Sequence, residues 1–139
     1  MLNDSITLMS GADISNLSST SISVDGLDVG TKIIPQNTKS TNYTAILSDS
    51  GKQIFHPAAD TTARTFTIPA NDTVAYPIGT ALTFINQYGA GVVTIAITTD
   101  ILRMAGGSSV GSKTLSANGI ATAIKVTATE WLISGTGLA

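Results

Sequence analysis

The sequence predicts an all-β domain, either an antiparallel β-sandwich or a short barrel. Three observations predict it. Short runs rich in Thr, Val and Ile alternate apolar and polar residues, the period of a half-buried strand. Turn signals built from Gly, Pro, Asn, Asp and Ser separate these runs every eight to twelve residues or so, the spacing of sandwiches and barrels. No sustained helical pattern of apolar residues appears along the 139 residues.

Composition agrees and excludes several function classes. About a quarter of the chain is Ser or Thr, only 12% is charged and 42% is hydrophobic. Disorder needs low hydrophobicity with high net charge, which is not this balance. The length suits one domain with its own core. Net charge is −2, and the seven cations (Lys32, Lys39, Lys52, Arg64, Arg103, Lys113 and Lys125) are scattered, which argues against a nucleic-acid partner. The chain has no cysteine, so disulfides and thiolate metal sites are excluded. No apolar run has the length of a membrane span, so no membrane partner is expected. Met1-Leu2-Asn3-Asp4 lacks the basic and apolar regions of a signal peptide. A surface this poor in charge suits burial in an assembly.

Taken in order, residues 1–35 read as an extended N-terminal arm or short stem, and 36–139 as the β domain. In the arm no period holds for long, apart from Ser21–Val24 running into the Asp25-Gly26 turn and a short run, Lys32–Pro35, ended by proline. Tyr43–Leu47 is a strand, Ser48–Gly51 a turn, and Gln53–His56 a strand stopped by Pro57. Ala58–Ala63 is a loop. In Thr65–Ile68, Phe66 and Ile68 alternate with threonines, and Pro69, which has no N–H to donate, ends the strand. Leu82 and Phe84 restart the alternation. Gln87–Gly91 is a turn, Val92–Thr98 is the strongest strand signal, and Ile101–Met104 is a short strand. Ala105–Ser112 is a Gly/Ser loop and Ser116–Gly119 a turn. Ala121–Thr127 is a strand with Ile124 and Val126 expected inward. Glu130–Ser134 is the last strand, and Gly135–Ala139 a tail of small residues.

Few side chains suggest chemistry. Gly107-Ser108-Ser109-Val110-Gly111 matches G-x-S-x-G, but the nucleophile elbow needs a following helix and a later histidine, and the one histidine, His56, lies upstream. Gly106–Thr114 falls short of a phosphate loop because Ser112 separates Gly111 from Lys113. His56 alone cannot hold zinc; it reads as a surface or interface hydrogen-bonding residue, and only three copies around a symmetry axis would bring imidazoles together on an ion. Asp49, Asp60, Asp72 and Asp100 fall in turns and read as turn caps, with no calcium-loop spacing. Trp131 reads as core or subunit interface, and Tyr43, Tyr76 and Tyr88 are not clustered in sequence. The sequons at Asn3, Asn16, Asn42 and Asn71 are chance matches in a Thr-rich chain. The reading is a non-enzyme with no catalytic, cofactor-binding or metal-ligating residues and no cofactor.

Several blocks together resemble a known module: Asp25–Gly30 with Ile34-Pro35-Gln36-Asn37; Asn42-Tyr43-Thr44 to Asp49-Ser50-Gly51-Lys52; His56–Asn71; Tyr76–Thr80; Gly91–Ile97; and Trp131–Gly135. The set is similar to a β-rich module of tailed-bacteriophage virion structural proteins, found in capsid decoration, head-fibre and tail-fibre proteins. The resemblance covers roughly residues 25–139. It implies an all-β, homotrimeric particle component on the virion surface, made in the host cytoplasm, with no catalytic residues. A long fibre needs a shaft, and here only a short arm precedes the module. The expectation is therefore a trimeric capsid decoration (cement) protein whose partner is the major capsid protein or another virion structural protein. The alternative is a fibre tip in which loops such as Pro69–Thr80, carrying Tyr76, and Ala105–Ser112 bind host-cell surface glycan.

Overall fold

The computed structural model describes residues 22–24, 27–29 and 33–139. The chain forms two compact units, 1–30 and 31–139. In the first, β1 (Ile22–Val24) and β2 (Leu27–Val29) pair antiparallel with Val24 opposite Leu27; the predicted Asp25-Gly26 turn lies outside the described residues. The remainder of the predicted arm lies outside the described residues up to Ile33. The predicted run Lys32–Pro35 is described from Ile33 onward, where it is not a strand: Ile33 and Ile34 are exposed.

The second unit is all-β and is built on one nine-stranded sheet that curls into a half-barrel. Its strands are β3 (Gln36–Thr38), β4 (Tyr43–Thr44), β5 (Gln53–His56), β6 (Arg64–Ile68), β7 (Ala81–Asn86), β8 (Val93–Ile97), β9 (Ile101–Met104), β10 (Lys113–Thr127) and β11 (Glu130–Leu138). The expected antiparallel pairing holds only around β10. The order β3-β5-β7-β10-β8-β6-β4 places the odd strands on one side of β10 and the even strands on the other. Pairs β3–β5, β5–β7, β4–β6 and β6–β8 are all parallel, as is β9–β11. Parallel neighbours need a crossover connection. Here each ladder supplies the other's: the chain leaves β5, runs β6 in the opposite ladder, and returns as β7.

β10 joins the two ladders. Its first residues pair with β8 (Lys113↔Ile95, Leu115↔Val93), and its second half pairs with β7 (Gly119↔Asn86 to Ile124↔Ala81). Between them the register against β11 jumps from Leu115↔Leu138 to Ile120↔Thr136. The predicted turn Ser116–Gly119 is this irregularity inside one long strand, with Asn118 at φ 62, a left-handed conformation asparagine tolerates. The tail also differs from expectation, since Gly135 to Leu138 continues β11. Gly135 is required there: a Cβ would stand 2.1 Å from the Ile120 carbonyl oxygen.

Alternation along each strand fills the interior. Ile54, Phe66, Ile68, Leu82, Phe84 and Ile95 point inward, with Trp131 stacked edge-to-face on Tyr76 at 5.5 Å between ring centroids. The edges β3 and β4 are tied across the curl by Asp49. It is the last residue of a single 3₁₀ turn (Leu47–Asp49) that shortens the predicted strand Tyr43–Leu47 to Tyr43–Thr44. Asp49 is buried, and its carboxylate accepts from Asn37 Nδ2 at 2.8 Å, Tyr43 Oη at 2.7 Å and the Ile46 N–H at 2.9 Å. Burial, then the neighbouring carboxylate, pushes the Tyr43 phenol up to about 12.

Candidate functional surface

The side chains singled out in the sequence are placed where they hold the fold together. His56, expected at the surface or an interface, is instead fully buried. Its Nδ1 faces Asn86 Oδ1 at 3.0 Å, and its Nε2 faces Asp60 Oδ2 at 3.0 Å. The Asn86 amide nitrogen donates to the Gly91 and Leu115 carbonyls, which fixes its oxygen as the acceptor toward the ring. Both ring nitrogens therefore face acceptor oxygens at hydrogen-bond distance. A ring enclosed in this way cannot meet its copies on a symmetry axis, so the three-imidazole ion site is overturned. Among the described residues, no group of three or more metal-ligating side chains occurs.

Asp60 also takes Arg64 in a two-pronged contact, Nε to Oδ2 at 2.7 Å and Nη2 to Oδ1 at 3.1 Å. The guanidinium holds the Asp60 carboxyl well below the usual carboxylate range. Because the folded state binds that proton less readily than the unfolded chain, the pair adds stability above the ordinary Asp range. That stability is lost only as pH falls well below it. Arg64→Gln is expected to move the acid-unfolding midpoint to higher pH, measured by circular dichroism; an unchanged midpoint refutes the linkage.

Ser109 is exposed on the loop after β9, and the segment that follows is β10, not a helix. The buried ammonium of Lys113 donates to its Oγ at 2.9 Å. Of the other predicted turn carboxylates, Asp100 accepts the Asn71 N–H at 3.0 Å and Asp72 accepts from Thr73 at 3.2 Å. Tyr76, expected to be offered to glycan, is buried and donates to the Ile46 carbonyl at 2.6 Å. Tyr88 is the tyrosine that projects, 79% exposed at the Gln87–Gly91 turn.

The outer face of the odd ladder departs most from what a lone domain would show. Alternation in β10 is clear in the sequence, but its sense is reversed. Ala121, Ala123 and Lys125 face the core; Ile120, Ile124 and Val126 face outward, 48%, 45% and 41% exposed. Inside, Trp131, Tyr76 and Phe84 occupy the space that larger side chains on β10 would need. The Lys125 ammonium, 1% exposed, donates to Asn71 Oδ1 at 2.6 Å and lies 5.7 Å from the Trp131 ring centroid.

Register builds this face into rows. Phe55, Ile85, Ile120 and Thr136 lie side by side across β5, β7, β10 and β11; Gln53, Thr83, Thr122 and Ser134 form the next row; Ala81, Ile124 and Leu132 the third. The Thr83 and Thr122 hydroxyls meet at 3.0 Å. No residue in these rows is charged, and the Arg103–Glu130 ion pair (2.6 Å) lies at the β9–β11 border. The face of the even ladder is different: Thr44, Thr65, Thr67, Thr94 and Ala96 are its outward residues. The sequence does contain the signal for the first face, three large aliphatics two or four residues apart with a lysine in the complementary register. Comparison with protein-family models, curated proteins and solved structures finds no match to the chain.

Proposed function

We propose that the chain is a structural protein of the tailed-bacteriophage virion, a homotrimeric capsid decoration protein that binds the assembled shell and stabilises it. The observation that carries this reading is the reversed sense of β10. A strand that turns a lysine inward and three aliphatics outward suits a domain whose outer sheet face is covered in an assembly. The sequence blocks that resemble those of virion proteins supply the setting. Mechanism follows from mass action: a protein that binds the shell but not its dissociated subunits shifts the equilibrium toward the shell. Trimers match local threefold points, where each contact is made three times.

The test is copy number in purified particles, by quantitative mass spectrometry against the major capsid protein. Decoration expects copies on the order of hundreds, and particles lacking the chain should release DNA at lower temperature. A count between three and about eighteen favours the fibre-tip reading, a tail or vertex location. Exposed Tyr88 is the observation that supports that alternative, as a stacking platform for host-cell surface glycan.

A further inference from the structure

We infer that the outer face of β5, β7, β10 and β11 is the contact between copies of this chain, with β10 nearest the symmetry axis. The inference rests on the homotrimeric reading above and names the surface that makes it. Three properties of the face favour a second copy over a different partner.

The first is charge. Each chain carries net charge −2, yet no residue in the three rows is ionised, so two copies meet there without like-charge repulsion. A nucleic acid or an anionic surface would find no cation within the three rows, and Arg103, beside Leu132 on β9, is already paired with Glu130.

The second is layering. Along β10 the outward residues run Ile120, Thr122, Ile124 and Val126, about 7 Å apart. Rotation about an axis parallel to β10 keeps every residue at the height of its own copies. Aliphatic layers then meet aliphatic layers, and Thr122 meets Thr122. A hydroxyl both donates and accepts, so a ring of identical threonines satisfies itself, which a ring of amines or carboxylates cannot do.

The third is extent. Four strands about 4.8 Å apart, with about four to six facing residues along each, give a face of about 400 Å² in projection, about half of one partner's share, about 800 Å², of a standard interface.

The absence of cysteine from the chain makes the test clean. In the full-length protein, Thr122→Cys places one thiol on the β10 face and Thr67→Cys one on the threonine face of the even ladder. Mild oxidation is expected to give disulfide-linked pairs from Thr122→Cys and none from Thr67→Cys. Sedimentation is expected to give three times the 14.2 kDa chain mass for the wild type and one chain mass for Ile124→Lys. Ile124 is exposed, so that variant should keep the wild-type circular dichroism spectrum. A monomeric wild type, or linkage through Thr67→Cys alone, overturns the inference. A wild-type dimer linked through Thr122→Cys supports this face and overturns the threefold reading. A trimer linked through Thr122→Cys but found in few copies per particle supports the face and overturns decoration.

Discussion

Asp49→Ala is expected to destabilise the domain by about 3–5 kcal/mol, read as a lower urea midpoint with an unchanged slope. The side chain is buried and accepts from three donors: Asn37 Nδ2, Tyr43 Oη and the Ile46 N–H. Each buried donor left without an acceptor costs about 1–3 kcal/mol, and partial rehydration offsets some of the sum. The variant also unties β3 from β4, which no backbone pairing joins. Asp49→Asn keeps one acceptor oxygen and should lose about half as much. Tyrosine absorbance gives a second readout. Burial, then the Asp49 carboxylate, pushes the Tyr43 phenol up to about 12, above the value near 10 of an unfolded chain, so stability falls as pH climbs between those values. Asp49→Ala should bring the Tyr43 titration back toward 10. A urea midpoint within error of the wild type would show that the clasp is incidental.

His56→Leu is expected to cost about 2–4 kcal/mol, although leucine is the more apolar residue at a fully buried position. The two ring nitrogens lie 3.0 Å from Asn86 Oδ1 and 3.0 Å from Asp60 Oδ2, and leucine offers neither oxygen a partner. Asn86 cannot turn its amide to compensate, because its nitrogen is held by the carbonyls of Gly91 and Leu115. The loss therefore spreads to the Gln87–Gly91 turn, where Gly91 is pressed so closely on Thr62 that a Cβ would stand 2.4 Å from its carbonyl carbon. Hydrogen exchange should show the Ala90 and Gly91 amides, bonded to Gln87 and Asp60, opening before the β10–β11 ladder. A variant as stable as wild type would mean that the ring is held by packing on Phe66 alone, its edge-to-face neighbour at 6.0 Å.

Strands with strong local signals were legible. β5, β6 and β8 fall where alternation and proline stops put them, because Phe66, Ile68, Val93 and Ile95 meet the core whatever their neighbours are. Partners were not legible. A strand of two to six residues between turns looks the same whether its neighbour is the next strand or the one after, so the parallel ladders leave no local trace. The long β10 was hidden for a related reason: Ser116-Ala117-Asn118-Gly119 has turn chemistry, and only pairing to β8, β7 and β11 keeps it inside one strand. The inward placement expected for Ile124 and Val126 followed the rule that aliphatics face the core. Trp131 and Tyr76 fill that interior instead, and the aliphatics become the outer face.

Interleaving also dictates when the chain can fold as it is synthesised. From β3 to β8, no strand pairs with its neighbour in sequence, so the first half of the domain makes no hairpin to hold it while the rest is translated. Gln36–Thr38 waits for Gln53–Phe55, and β5 waits for Gln53↔Thr83 and the residues after it. The inner edges of both ladders, β7 and β8, stay open until Lys113–Thr127 emerges and pairs with each. Folding is therefore concentrated at the end of translation. A ribosome that stalls before residue 113 leaves a chain with two bare strand edges, each a template for pairing with another chain.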